Sequence, residues 1–307
     1  MLEEAIIDIP KIKSKKMLVK VHTAGVNPLD WRIRKGEMKL ITGRRFPRIL
    51  GSDLSGTVVE VGKGVREFKV GDEIVSMINV MFNAGAYAEY VLVDEKNTIL
   101  KPKNLSFTEA GCLPCSAMAA LQVLKDKVHL KRDQSILING ASGGVGTFAV
   151  QIANILGAKA TGVCSGKNVE LVSSLGASDV IDYTKEDCLT DDRLYDVIFD
   201  TVGNLTFSEC KHSLVNGGTY VTIVPSVKKI LSMVMTYIMP GKKCRFVSVM
   251  PKKDSLKWLK EEVEVEKLKV VIDRTYPLES AKEAHEYIEK GHAKGKIALT
   301  VENDNKS

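Results

Sequence analysis

Aromatic side chains are scarce: Phe, Trp and Tyr together make up 6% of the 307 residues. Proteins that bind single-stranded nucleic acid stack bases on aromatic rings, and duplex binders gather Lys and Arg on one face. Here the formal net charge is +6, but the lysines are scattered and form no dense block. No nucleic-acid partner is expected, only a mild affinity for anionic ligands. Long apolar runs are missing as well. The most apolar stretch, residues 221–239, is interrupted by Pro225, Lys228 and Lys229. It falls short of the roughly 20 clean apolar residues a membrane span needs, so no membrane partner is expected. The opening MLEEAIIDIPKIKSKK has no basic start followed by an apolar run, so the expected location is cytoplasmic. The cysteines, at positions 112, 115, 164, 188, 210 and 244, are too dispersed for a disulfide framework. Cys112 and Cys115 form a CxxC pair without a second ligand pair or a thioredoxin-like context, and read as small buried residues. Histidine is rare too. None of His22, His129, His212, His285 and His292 has metal-ligand spacing, and the last four read as helix or loop surface. No metal site is expected.

What is present falls into two kinds of pattern. Alternating apolar stretches at residues 17–25, 55–61, 70–78 and 86–94, punctuated by glycine, read as short strands of a barrel-like β region. From about residue 107 the pattern changes. Helical periodicity over 107–128 is followed by strands at 136–139, 158–164, 180–182, 197–200 and 219–224. Helices at 145–156, 169–175 and 205–214 lie between them. Repeated β-α-β units with short connections predict a parallel sheet covered by helices. A strand at 245–249, a helix from Asp254, a strand at 270–272, a helix from Ser280 and a strand at 296–301 close the chain.

The strongest local signal is SILINGASGGVGTFAVQIANILGA, residues 135–157. An apolar strand runs into a glycine-rich turn and the turn into a helix, the context in which a glycine motif signifies a dinucleotide site. Gly143 leaves the backbone open to a pyrophosphate, and Gly146 lets the helix pack on the strand. The helix start, with Ser142, Gly144 and Val145, offers N–H groups and a positive dipole end. Ala141 replaces the first glycine of the usual GxGxxG. NAD sites carry an acidic residue near the end of the next strand. Here VCSGKN offers Ser165 and Lys167, a hydroxyl and a cation that suit a 2′-phosphate, so NADPH is the expected cofactor.

These segments, with GVCSGKNVELVSSLGASDVIDY and YDVIFDTVG after them, resemble the zinc-independent quinone oxidoreductases of the medium-chain dehydrogenase/reductase superfamily. VKVHTAGVNPLDWRIRKG, PRILGSDLSGTVVEVGKGV, FKVGDEIVSM and IDRTYPLESAKEAHEYIEKGHAKGKIALTV extend the similarity over nearly the whole chain, in the family's order. The resemblance implies an α/β protein with a GroES-like β-rich catalytic domain from residues 1–112 and 251–307, lacking its first strand. A doubly wound Rossmann domain at 113–250 would be inserted within it. It implies cofactor and substrate in a cleft between the domains, and a homodimer pairing through the strand at 245–249. Zinc-dependent relatives have Cys and His where this chain has Asn27 and Gly51-Ser52-Asp53, so the reaction expected is zinc-independent. Asn27 would sit beside the nicotinamide, or be a turn residue before Pro28. Asp53 would join the catalytic site, or cap a turn. Ser165, Lys167 and Tyr183 match positions that contact the 2′-phosphate, with packing the alternative for Tyr183. Lys296 would reach a cofactor phosphate, or be solvated. Ala119 stands where the family commonly has a Thr touching the nicotinamide.

The function expected is hydride transfer from NADPH to a quinone or an α,β-unsaturated carbonyl. Such acceptors are already electron-poor and need orientation more than a metal. The alternative is a non-catalytic NADPH-binding or sensing protein, which Ala119 and the absent first strand both favour. A weaker third reading, a nucleic-acid binder using a basic Rossmann cleft, predicts salt-dependent RNA binding that NADPH displaces.

Overall fold

The structure is a computed structural model describing residues 2–43, 47–190 and 192–301. The chain divides into two compact units. One comprises Met1–Met118 and Met250–Ser307, the other Ala119–Val249. The chain thus leaves the first unit at residue 118, six residues later than expected, inside a helix rather than before one.

The first unit is built on a seven-stranded sheet. Its elements are β1 (Lys16–Val26), α1 (Pro28–Arg34), α2 (Lys39–Thr42), β2 (Asp53–Val61), β3 (Glu73–Met77), β4 (Tyr90–Asp94) and β5 (Thr98–Leu100). Then come α3 (Phe107–Cys112) and α4 (Pro114–Leu121), which runs into the second unit. The strand order is β12-β13-β1-β2-β3-β5, with β4 also pairing β1. The last two strands of the chain, introduced below, therefore close this sheet. Beneath it, Met17, Val19, Val21, Leu54, Val58, Ile74 and Ile297 form one fully buried apolar layer. Alternation of inward Val and Leu with outward polar residues places this layer, as a period of two requires. The stretch 86–94 is strand only from Tyr90, and β5 and the short helices α1 and α2 were not legible in the pattern. Pro28 opens α1 because its missing N–H costs nothing at a helix start.

The second unit is an all-parallel sheet covered by helices. It contains β6 (Ser135–Asn139), α5 (Gly144–Ile155), β7 (Lys159–Cys164), α6 (Val169–Ser174), β8 (Asp179–Asp182), β9 (Tyr195–Asp200), α7 (Phe207–Cys210), β10 (Leu214–Thr222), α8 (Val227–Ile238) and β11 (Lys243–Phe246). The order β11-β10-β9-β6-β7-β8 reverses direction of growth at β6, where the glycine turn lies. In open α/β sheets ligands bind outside the carboxyl ends of strands at such a switch point. One expectation needs correction. The helix expected over 205–214 is one turn of α7 followed by a 3-10 turn, because β10 begins already at Leu214. The apolar stretch 221–239 holds a helix, α8, after the end of β10. Among the described residues no helix is long and apolar enough to cross a membrane.

The chain then returns to the first unit with α9 (Lys253–Glu264), β12 (Ile272–Pro277), α10 (Ala281–Glu289) and β13 (Lys296–Thr300). β13 pairs antiparallel with β1, setting Gly25 opposite Ala298 and Val26 opposite Ile297. That register brings the start of β13 to the end of β1, where the first cluster of site residues lies.

Candidate active site

In the second unit, the glycine turn is shaped by what cannot be there. A Cβ on Gly146 would fall 2.1 Å from the Gly140 carbonyl oxygen and 2.7 Å from the Ala141 Cα, so only glycine lets α5 sit this close to the turn. A Cβ on Gly143 would meet only the Gly140 oxygen, at 3.4 Å. It would otherwise project into open space ahead of the helix N-terminus, the cradle that a pyrophosphate fills. Ser142 is buried beside this turn. Asn168, which sequence reasoning missed, joins Ser142 to the end of β7. Its Nδ2 donates to Ser142 Oγ at 3.0 Å and Ser165 Oγ at 3.3 Å, while its Oδ1 is buried without a partner. Lys167 and Tyr183 lie just past the ends of the neighbouring strands β7 and β8, both exposed. Tyr183 is 56% exposed, so the packing alternative fails. A second residue missed here is Asp182, whose Oδ1 accepts from the Thr184 amide and hydroxyl at 3.0 and 2.7 Å. Those bonds, with Lys185 near by, hold its carboxyl below the usual range. The turn, the open cradle and the hydroxyl–cation edge fit a dinucleotide.

The far side of the turn is fixed by Asp200 at the end of β9, fully buried. Its Oδ1 accepts from Asn139 Nδ2 at 2.9 Å and the Gly203 amide at 2.8 Å. Its Oδ2 accepts from the Tyr220 hydroxyl at 2.9 Å and Lys229 Nζ at 3.2 Å. A buried carboxylate without such partners would be costly. With them it pins loop 201–204 against the turn. The apolar strand VIF ending in Asp200 was the sequence signal; its lysine partner, 29 residues on, was not legible.

In the first unit, Asn27, Asp53 and Lys296 come together. Asn27 is 2% exposed and precedes α1 in the extended conformation that the residue before proline favours. Its Nδ2 donates to Asp53 Oδ2 at 2.9 Å, and its Oδ1 accepts from Lys296 Nζ. Lys296 Nζ also donates to Asp53 Oδ2 at 3.4 Å and Ser116 Oγ at 3.1 Å. Lys296 is 2% exposed, which overturns the solvated alternative and turns its ammonium into this cluster. Asp53 begins β2 rather than capping a turn of its own. Its Oδ1 accepts from the Cys115 amide at 2.8 Å, so it caps the start of α4 from 62 residues away. Burial pushes the Asp53 carboxyl up, and Lys296, Asn27 and the Cys115 amide pull it back. Burial alone would lower the Lys296 ammonium, but Asp53 and the neighbouring thiols and Asp30 carry it above its ordinary value, so it stays charged. Ser52 Oγ, beside Asp53 in the chain, is buried with no partner. Burial pushes the Cys112 thiol up to about 12 and Cys115 higher still, which keeps both from acting as thiolates.

Behind this cluster stands a second one that the sequence did not reveal. Asp30 Oδ2 accepts from the Asn27 amide at 2.9 Å and the Tyr87 hydroxyl at 3.3 Å; Oδ1 accepts from the Gly51 amide at 3.1 Å. Tyr87 oxygen lies 3.2 Å from His285 Nε2. His285 was expected on the surface and is instead fully buried, with Nδ1 unpartnered. Burial is the main cause that lowers His285 to about 4, aided by Arg34 and opposed by Glu289. A neutral ring donating Nε2–H to the tyrosine oxygen satisfies this geometry. Burial likewise pushes Asp30 up to about 7 against the pull of the Asn27 and Gly51 amides. Among the described residues no group of His, Cys, Asp and Glu could hold a metal ion.

A GroES-like unit and a dinucleotide-binding Rossmann unit in one chain define a nicotinamide-dependent dehydrogenase or reductase of the medium-chain class. Residues 13–103 match the alcohol dehydrogenase GroES-like domain, and residues 175–299 match the zinc-binding dehydrogenase family. The chain is 35% identical to a chloroplast envelope quinone oxidoreductase homolog of Arabidopsis thaliana, covering 97% of this chain and 93% of that one. It is also 35% identical to an NADPH-dependent alkenal/one oxidoreductase, chloroplastic, of Arabidopsis thaliana, over 96% of this chain and 75% of the other. Among solved structures it resembles the quinone oxidoreductase from Coxiella burnetii, with a TM-score of 0.88 and 30% identity over 96% and 93% of the two chains. The chain belongs to the quinone oxidoreductase-like family of the medium-chain dehydrogenase/reductase superfamily, and it is an oxidoreductase.

Proposed function

We propose that the chain is a zinc-independent, NADPH-dependent reductase of quinones or α,β-unsaturated carbonyls. The observation that carries zinc independence is the Lys296 ammonium. It already supplies the cation bonded to Asn27 Oδ1, Asp53 Oδ2 and Ser116 Oγ, in the cluster where Asn27 and Gly51-Ser52-Asp53 stand in place of the Cys and Gly-His-Glu of zinc-dependent relatives. A metal ion there would have to displace a buried charge that Asp53 neutralises. The printed names of the relatives support both acceptor classes. When bound, NADPH supplies a hydride to the electron-poor acceptor, and a proton from solvent completes the reduction.

In this reading the chain's own residues orient rather than activate. Gly143, Gly144, Val145 and Gly146 present the turn and helix start to the pyrophosphate, with Ser142 buried beside them. Ser165, Lys167 and Tyr183 take the 2′-phosphate. Asn27, locked between Lys296 and Asp53, offers a fixed amide to the nicotinamide or the acceptor. The reading includes a cytoplasmic setting and a homodimer paired through β11, one of the two edge strands of the six-stranded sheet. Replacing Ser165 and Lys167 together by alanine removes a hydroxyl and a cation from the 2′-phosphate. We expect KM for NADPH to rise about tenfold or more with KM for NADH little changed, read by steady-state kinetics with both cofactors. An equal loss with NADH would remove the basis for NADPH selection.

A further inference from the structure

We propose that Asn168 is a positioning residue of the dinucleotide site, whose amide turns the hydroxyl hydrogens of Ser142 and Ser165 away from the core together, toward the phosphates of NADPH. Asn168 has this role on the reading of the site as one for NADPH. The sheet brings the two serines side by side. β6 and β7 pair in parallel with Asn139 opposite Val163. The Val163 carbonyl then accepts from the Gly140 and Ala141 amides at 3.1 and 2.9 Å. Ser142 and Ser165 therefore leave the sheet next to each other, one in the glycine turn and one just past β7.

The local fold does not account for the Asn168 side chain. Asn168 precedes α6, where an asparagine ordinarily caps the helix by accepting from an amide in its first turn. Here it makes no such bond. Nδ2 donates instead to Ser142 Oγ at 3.0 Å and to Ser165 Oγ at 3.3 Å, which uses both of its hydrogens. Oδ1 is left buried with no partner, and Asn168 as a whole is 6% exposed. A forgone cap and an unpaired buried oxygen both cost stability. What they secure is the direction of two hydroxyls. A serine that accepts from Asn168 has its own hydrogen pointing elsewhere, and neither hydroxyl has an acceptor among the described residues. An anion supplies that acceptor, and the exposed Lys167 adds a cation. The loop is also fixed in place. The Asn168 backbone amide donates to the Ser165 carbonyl at 2.8 Å. A Cβ on Gly166 would fall 2.5 Å from Asp182 Oδ2, so glycine lets the loop lie against that carboxylate. Donors already fixed in place and direction lose little freedom when a phosphate binds. Asn168 is buried beneath the serines and acts through them.

The test is fluorescence titration of NADPH and NADH into four proteins, each shown by a melting curve to be folded. They are the parent, Asn168→Leu, the double variant Ser142→Ala, Ser165→Ala, and the triple variant that combines the three substitutions. Asn168→Leu is neutral and close in size. It raises Kd for NADPH about fivefold or more, and Kd for NADH by less. In the background without the two serines the same substitution changes neither constant, because no hydroxyl is left to orient. Asn168→Asp, of the same shape, replaces both donors by acceptors and weakens NADPH binding further. Where Asn168→Leu does not fold, Asn168→Ala takes its place in the cycle. A variant at Asn168 that binds NADPH as the parent does overturns the proposal. So does an equal loss with and without the two serines, which makes Asn168 a structural residue. A parent that binds NADH as tightly as NADPH overturns the reading of the site and the proposal with it. Where the parent prefers NADPH, the variants decide the proposal alone.

Discussion

Lys296 and Asp53 are both buried, and each is tolerable only because of the other. Removing one partner of a buried pair leaves an uncompensated charge, at a cost of about 3–5 kcal/mol. Lys296→Met should therefore destabilise the chain by about that much, and adding Asp53→Asn should restore a large part of the loss. Urea unfolding of the two single variants and the double variant reads the coupling; simple additivity would mean that the pair is not an ion pair. His285 gives a pH signature. It stays neutral in the folded chain down to about pH 4, while the unfolded histidine takes its proton near 6.5. Between those values the unfolded state binds more protons, so stability present at neutral pH is lost as pH falls from about 6.5 to about 4. The full loss is about 3 kcal/mol. Asp30, raised to about 7 from 3.8, acts in the opposite sense, because its folded form holds the extra proton and stability falls as pH rises through that window. His285→Gln should remove the acid-side loss and leave the opposing Asp30 contribution, so its urea midpoint shifts further towards stability than the parent's does between pH 6.5 and pH 4.5. The same shift in both proteins would mean that His285 titrates normally.

At the scale of elements, the chain was most legible where structure is local. The strand, turn and helix of residues 135–157 share one short stretch, and the spacing of Gly143 and Gly146 follows from backbone approach alone. Gly146→Ala places a Cβ 2.1 Å from a backbone oxygen that cannot move without shifting the turn. It should cost about 1–3 kcal/mol as overpacking and weaken NADPH binding at least as much, read by fluorescence titration of the folded variant. Unchanged binding would deny the turn its role. α8 was missed for a physical reason: its apolar positions repeat as a helix requires, but its lysine points inward, so the pattern reads as an interrupted run. The clusters around Asn27 were illegible for another reason. Asp53 and Lys296 lie 243 residues apart, and Tyr87 and His285 lie 198 apart. The pairing of β1 with β2 on one side and β13 on the other joins the first pair, and no local pattern encodes those registers.

At the scale of the whole molecule, each unit carries a different share of the work. The Rossmann unit holds the residues suited to a dinucleotide; the GroES-like unit holds the locked amide of Asn27. The two expected roles were legible because motif order along the chain matches the family's. The acceptor was not, because pocket shape decides it and composition does not. A saturating cofactor should stabilise the folded chain by mass action, about 2.7 kcal/mol at one hundred times Kd, with NADPH raising the melting temperature more than NADH at equal concentration. A chain that only binds or senses the dinucleotide would pass that test as well, so binding alone leaves catalysis open. The direct measurement is the steady-state rate of NADPH oxidation with an ortho-quinone and with a simple enone, NADH run beside it and EDTA present throughout. The account predicts turnover that is faster with NADPH and unaffected by EDTA. Folded protein that binds NADPH yet turns over neither acceptor, or turnover that EDTA abolishes, would contradict it.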